Sequence, residues 1–326
     1  MNDIRRVGII GTGAMGGGVV ASLVRAGFAT FARDIDPHAQ AAAVASGAQG
    51  CASAAELAAR CEAIIVLVVD APQVESVLFD RDGVGGSAAP GTIVCVSSTV
   101  DPAFAASLAP RLSSQAIALL DAPVSGGPAK AAAGTMTMMV SGDAVAFARA
   151  QPVLAQITGR LFALGVRPGD ASTFKIVNNL LAGAHLAVAA EALAIALAAG
   201  IDLRMLADVV DASSGASWMF ADRVPRALAD DIRPPRAAAK ILTKDVGIAA
   251  ALAARLGVDA PMAKAALSAY ADAIAAGLAE DDDAVLIRRA AERAGLAWPV
   301  LNNVEGPVLS NVEGPATSAA PPDRRR

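Results

Sequence analysis

An apolar run, Val7 to Ile10, leads into three glycines, Gly11, Gly13 and Gly16, in G-x-G-x-x-G register, and then into a second apolar stretch from Val19 to Val24. No other part of the chain so narrows what it can fold into. The order predicts a buried strand, a tight turn and a helix, the opening of a doubly wound α/β sheet. Gly11 permits the turn, Gly13 lets a backbone approach a pyrophosphate, and Gly16 lets helix and strand pack closely. The helix N-terminus then offers N–H groups to phosphate charge. Gly11, Thr12, Gly13, Ala14, Met15 and Gly16 are therefore the expected cofactor-binding turn.

Asp34 follows the glycines by about 20 residues, where a dinucleotide fold places its ribose-reading acid. It ends a second expected strand, Ala29–Ala32. A carboxylate there accepts hydrogen bonds from the ribose hydroxyls of NAD and repels the extra phosphate of NADP. NAD is the expected cofactor. Arg33 could serve a 2′-phosphate, but inside the strand's end it reads as a solvated arginine.

The chain has 326 residues, enough for two domains. It is 55% hydrophobic and 3% aromatic, so its core must be built mainly of alanine, valine, leucine and isoleucine. A formal net charge of -4 with no basic face argues against nucleic acid or an anionic membrane as partner. Cys51, Cys61 and Cys95 are scattered among small or apolar neighbours and read as reduced thiols of a cytoplasmic protein, with no metal-ligand spacing. His38 and His185, the two histidines, lie too far apart in sequence to suggest a zinc site or a Ser-His-Asp triad. Arg5-Arg6 before an apolar stretch imitates a signal peptide, but the interrupting glycines fit the nucleotide turn. Ile64–Val69 is too short to span a bilayer.

Further strands are expected at Ile64–Val69, Ile93–Ser97, Ala118–Asp121, Thr137–Ser141 and Arg160–Ala163, alternating with alanine-rich helices in a mostly parallel sheet. Ligands bind such sheets beyond the carboxyl ends of the strands. After Gly169 the strand signal stops. Ser172–Ala199 reads as one long helix, apolar on nearly all sides, with Gly200 placed to end it. Helices are expected at Leu203–Ala212, Ser217–Ala229, Ala237–Leu256, Ala260–Gly277 and Ala284–Ala294. The expected fold class is α/β: an N-terminal Rossmann doubly wound sheet, a long interdomain helix and an all-α C-terminal domain. The expected boundaries are 1–165 for the dinucleotide-binding domain, 166–297 for the helical domain and 298–326 for a disordered tail. In that tail Leu-Asn-Asn-Val-Glu-Gly-Pro-Val (Leu301 to Val308) repeats as Leu-Ser-Asn-Val-Glu-Gly-Pro-Ala (Leu309 to Ala316), too few copies for a solenoid.

Three constellations carry possible chemistry. Ser97-Ser98-Thr99 sets hydroxyls where the nicotinamide end of a cofactor would reach, or makes a polar turn. Ser125-Gly126-Gly127, in the run that begins at Asp121, exposes N–H groups suited to a carboxylate, or is simply a turn. Lys175, Asn178 and Asn179 share one helix face by their spacing. They would meet a substrate's hydroxyl and carboxylate, unless the lysine merely reaches solvent.

Four motifs in order then carry a resemblance: Gly8 to Gly16, Asp121 to Gly127, Lys175-Ile-Val-Asn-Asn179 and Lys244-Asp245-Val-Gly-Ile-Ala. Together they resemble the 3-hydroxyisobutyrate dehydrogenase family of β-hydroxyacid dehydrogenases. Val96 to Thr99, Leu180 to His185 and Ser214 to Phe220 are most similar to its L-threonate dehydrogenase branch. The resemblance implies an NAD-dependent dehydrogenase acting on a small hydroxy acid, with a four-carbon sugar acid such as L-threonate as the expected substrate. It also implies a homodimer or homotetramer joined through the helical domain. Lys175 matches the catalytic lysine, Asn179 the substrate-binding amide, Ser125, Gly126 and Gly127 the carboxylate loop, and Thr99 and Lys244 cofactor contacts. Asp245 reads as a partner for Lys244 or as half of a surface ion pair, and Trp218 and Phe220 as pocket walls or core. Ala171 stands where the family usually has a glycine, which implies a less close approach of that backbone to the cofactor. A lysine pKa near about 10.4 suits no base at neutral pH, so burial, Lys244 and oxidised NAD are expected to lower it. Oxidation of 3-hydroxyisobutyrate, reduction of tartronate semialdehyde and a non-catalytic NAD-binding protein are the competing expectations.

Overall fold

A computed structural model describes residues 3–299. The repeat of the expected tail lies outside the described residues. The strands are β1 (Arg6–Ile10), β2 (Ala29–Arg33), β3 (Gln49–Gly50), β4 (Ala63–Val66), β5 (Ile93–Val96), β6 (Ala118–Asp121), β7 (Val124–Ser125), β8 (Met136–Gly142) and β9 (Thr158–Ala163). Between them run α1 (Ala14–Arg25), α2 (Pro37–Ala45), α3 (Ala54–Ala58), α4 (Ala71–Phe79), α5 (Pro102–Ser113), α6 (Gly127–Ala133) and α7 (Ala144–Leu154). After β9 come α8 (Asp170–Ala198), α9 (Leu203–Asp211), α10 (Trp218–Leu228), α11 (Ala239–Arg255), α12 (Pro261–Ala275) and α13 (Val285–Arg293).

The sheet order is β3-β2-β1-β4-β5-β6-β8-β7, with β9 paired to β8. The run from β3 to β6 is parallel, as is the β8–β9 pair, whereas β8 runs antiparallel to both β6 and β7. Alternation along the strands splits the apolar residues between two faces. Val7 and Ile9 join the core beneath α1, while Ile10, Ile64 and Val66 join the core with Leu57 and Leu78 of α3 and α4. The topology reverses at β1, between β2 and β4, which puts the glycine turn at the switch point where open α/β sheets hold ligands.

Two expected strands are shorter than their apolar runs. β4 ends at Val66 and β5 at Val96, because the Val68 N–H donates to the Ser98 hydroxyl (3.0 Å) instead of continuing the ladder. The polar side chain terminates both strands and frees the segment that follows.

Helix α8 spans 29 residues and ends where Gly200 adopts a positive φ of 73°. It is long and apolar enough to cross a membrane by length and composition. Its Leu186, Ala190 and Leu193, however, pack with Val224 of α10, Val246 of α11, Tyr270 of α12 and Ile287 of α13 in the core of the helical part. The opposite face exposes Phe174, Val177, Leu181, Val188 and Ile195. Buried ion pairs tie the same part together: Arg223 grips Asp283 through Nε and Nη2 (2.6 and 2.9 Å), and Arg226 Nη2 donates to Asp282 (2.5 Å).

Candidate active site

At the switch point the three glycines are demanded by contact and conformation. Gly11 has φ 89°, and a Cβ there would lie 2.4 Å from the Leu67 carbonyl oxygen. One on Gly16 would lie 1.8 Å from the Gly11 carbonyl oxygen, so strand turn and helix could not approach. At Gly13 a Cβ would meet nothing within 4 Å. That side is an open cradle at the N-terminus of α1, where helix geometry leaves N–H groups without acceptors. Asp34 is drawn into the turn: it accepts hydrogen bonds from the Thr12 N–H (2.5 Å) and the Asp36 N–H (2.9 Å). Beside it a depression of about 380 Å³ is walled by Arg33, Asp34, Ile35, Pro37 and Gln40. A pyrophosphate fits the cradle and an adenosine the depression, so the residues present suit a dinucleotide. Arg33 differs from its expected solvated state. It is half-buried, and its guanidinium donates to Gln40 Oε1 at 3.2 Å.

Beyond the ends of β5 and β6 the helical part meets the sheet. Asp121, wholly buried at the end of β6, accepts the N–H groups of Gly169 and Ser172 (both 2.8 Å) and the Ser172 hydroxyl (2.7 Å). Burial pushes its carboxyl above the usual carboxylate range, against these hydrogen bonds, which pull it down. The first turn of α8 is thereby clamped to the sheet. The sequence reading gave Asp121 no task, although an acid closing an apolar strand just ahead of a long helix was the available signal. Ala171 is buried within this clamp, its N–H donated to the Ser141 hydroxyl at 3.0 Å.

One turn further along, Lys175 is 6% exposed, so the alternative of a lysine reaching solvent fails. Burial lowers its pKa to about 8; the Lys244 charge lowers it too, and Asp245 opposes both. Its amine has no hydrogen-bond partner among the described residues. Asn179, also buried, donates from Nδ2 to Asp245 Oδ2 at 2.6 Å and accepts at Oδ1 from Asn178 Nδ2 at 3.1 Å. Lys244 donates to the Thr99 carbonyl at 2.6 Å, bridging α11 to the segment after β5. It also stands 2.8 Å from Asp245 Oδ1, close enough for an ion pair, yet poorly aligned, so that Oδ1 is buried with no hydrogen-bond donor. Lys175, Asn179, Lys244, Asp245 and Thr99 therefore form one polar cluster, and Asp245 is no surface residue.

Ser97 and Ser98 are buried, and the Ser97 hydroxyl lacks a partner. Ser125 closes β7, and Gly126 and Gly127, with φ 134° and 76°, turn the chain into α6. Phe220 lies in the helical core, whereas Trp218 is exposed with its ring 5.6 Å from the Arg223 guanidinium.

Fold and cradle together define a dinucleotide-dependent oxidoreductase in which a Rossmann part carries a helical part on one long helix. Comparison with known proteins narrows this. Residues 6–165 match the model described as the NAD binding domain of 6-phosphogluconate dehydrogenase. Residues 169–290 match that described as NAD-binding of NADP-dependent 3-hydroxyisobutyrate dehydrogenase. An L-threonate dehydrogenase of Cupriavidus necator is 45% identical over 87% of this chain and 95% of its own length. The Escherichia coli K12 protein of the same name is 44% identical over 86% and 93%. A crystal structure of 3-hydroxyisobutyrate dehydrogenase from Salmonella typhimurium matches with a TM-score of 0.82 at 44% identity, covering 87% of this chain and 99% of that one. The chain belongs to the 3-hydroxyisobutyrate dehydrogenase family and is an NAD-dependent hydroxyacid dehydrogenase.

Proposed function

We propose that this enzyme oxidises the hydroxyl-bearing carbon of a four-carbon sugar acid such as L-threonate, with Lys175 as the general base. The observation that carries the reading is the buried Lys175 amine, its pKa lowered to about 8 and its nitrogen unpaired by any described residue. Such an amine is neutral often enough near neutral pH to take the substrate's hydroxyl proton. NAD, when bound, accepts hydride at C4 of its nicotinamide. In the reverse direction Lys175 returns the proton to a carbonyl.

Asn179 orients the substrate through its second N–H, and the Ser125-Gly126-Gly127 turn receives the carboxylate with hydroxyl and backbone N–H groups. The Gly11 to Gly16 turn holds the pyrophosphate, Asp34 the adenine-side ribose, and Thr99 and Lys244 the nicotinamide end. Asp34 favours NAD over NADP by charge. The division of labour falls near residue 165, with substrate and dimer contacts in 166–297. The exposed apolar stripe of α8 supports a homodimer or homotetramer, and the cytoplasm is the proposed compartment.

A second reading, oxidation of 3-hydroxyisobutyrate, is favoured by the Salmonella structure, which bears that name at the same identity as the E. coli relative. Initial rates with NAD and NADP across four-carbon sugar acids and branched hydroxy acids separate the two. The reading expects L-threonate with NAD to give the highest kcat/KM. A preference for 3-hydroxyisobutyrate moves the substrate assignment to the second reading. Lys175→Ala is expected to lose turnover while still binding NAD by calorimetry, and near-normal turnover removes the base assignment.

A further inference from the structure

Asp245 sits behind the proposed chemistry without a role in it. It is 2% exposed on α11, and its two oxygens face different partners. Oδ2 accepts the Asn179 amide at 2.6 Å. Oδ1 lies 2.8 Å from the Lys244 ammonium, which itself donates to the Thr99 carbonyl. A buried carboxylate whose oxygen lacks an aligned donor is costly, and a neutral side chain could pack α11 against α8 more cheaply. The charge therefore calls for a purpose.

The purpose lies in what the carboxylate forces on its neighbours. An amide can present either end, and the two ends have opposite hydrogen-bonding sense. Facing a carboxylate, the Asn179 amide can only point nitrogen inward, because the flipped form would set oxygen against oxygen. Asn178 donates to the amide oxygen and holds the same orientation from the other side. What remains free on Asn179 is one N–H, the group a substrate oxygen needs.

Resting on the assignment of Lys175 and Asn179 above, we propose that Asp245 is a positioning residue of this reaction, which fixes the Asn179 amide with an N–H toward the substrate and balances the Lys244 charge beside the Lys175 amine. The charged groups whose fields reach Lys175 are these two α11 residues. Charges on the other packed elements are engaged elsewhere: Asp121 of β6 with the first turn of α8, Arg223 of α10 with Asp283, Asp101 before α5 with Arg255, and Asp272 of α12 with Arg289.

The test is Asp245→Asn in the full chain, which keeps shape and volume and removes the charge. With its attraction gone and the Lys244 repulsion left, Lys175 loses its proton more readily. The acid limb of kcat/KM for the hydroxy acid should move about one pH unit to lower pH. Asn179 can now flip, and KM for the hydroxy acid should rise about tenfold. A purely structural role would move neither while thermal unfolding stayed cooperative. Should Asp245→Asn fail to fold, Asp245→Ser, smaller and uncharged, is read by the same limb. An unmoved limb and KM, in an enzyme that Lys175→Ala still inactivates, overturns the role of Asp245 alone. Turnover that survives Lys175→Ala overturns the base assignment and this role with it.

Discussion

Lys175 concentrates the chemistry of the molecule in one titration. Its amine ordinarily loses its proton near about 10.4, but dehydration inside the protein favours the neutral form, and here the value falls to about 8. Protonated amine cannot act as base, so kcat/KM for oxidation is expected to rise with pH and to level above about 8 at low NAD. The positive nicotinamide of oxidised NAD should carry that limb further toward acid when NAD is saturating. A flat profile between pH 6 and 9, recorded over that range of about three units, would show that no group of this kind limits the reaction. Lys175 and Asn179 were legible as a pair because an offset of four residues puts them on one helix face. Their burial was not legible. It depends on Asp121 gripping Gly169 and Ser172 some fifty positions away, a contact that leaves no periodic trace. Asp245 stayed ambiguous for the same reason, since its partner Asn179 is 66 residues distant.

Among the elements, long helices were readable nearly to their ends. Asp202 and Ser217 cap α9 and α10 with side-chain oxygens, and glycine closes α8, so local chemistry wrote those boundaries. The two-residue strands β3 and β7 were invisible, because two residues cannot show alternation. The antiparallel pairing of β8 was likewise invisible, being decided by where β6 and β7 leave it room. The buried pairs between α10 and the segment before α13 carry a prediction at this scale. Arg223 is 11% exposed at its side chain and Asp283 3%, so removing one partner strands a charge. Arg223→Met should cost about 3–5 kcal/mol in chemical denaturation. Arg223→Met with Asp283→Leu should recover much of that loss. Equal instability in both variants would show that packing, rather than the stranded carboxylate, governs the region.

For the whole molecule the open question is what covers the outer face of α8. Phe174, Val177, Leu181, Val188 and Ile195 recur at helical spacing and are all more than half exposed. A stripe of this kind meets an identical stripe readily, since a two-fold axis across an antiparallel helix pair matches apolar to apolar. Leu181→Glu should therefore lower the mass found by light scattering to that of one chain, while far-UV circular dichroism stays native. An unchanged mass would place the contact elsewhere.

The clamp at the start of α8 also decides where this chain tolerates extra or missing residues. One residue added to an α-helix rotates everything beyond it by about 100° and advances it by about 1.5 Å. Between Ser172, gripped by Asp121, and the Lys175 amine there is less than one turn to absorb such a step. An insertion there would swing the amine off the cleft, and no downstream loop could correct it. Length variation should gather instead after Gly200, where the rod has already delivered its cargo.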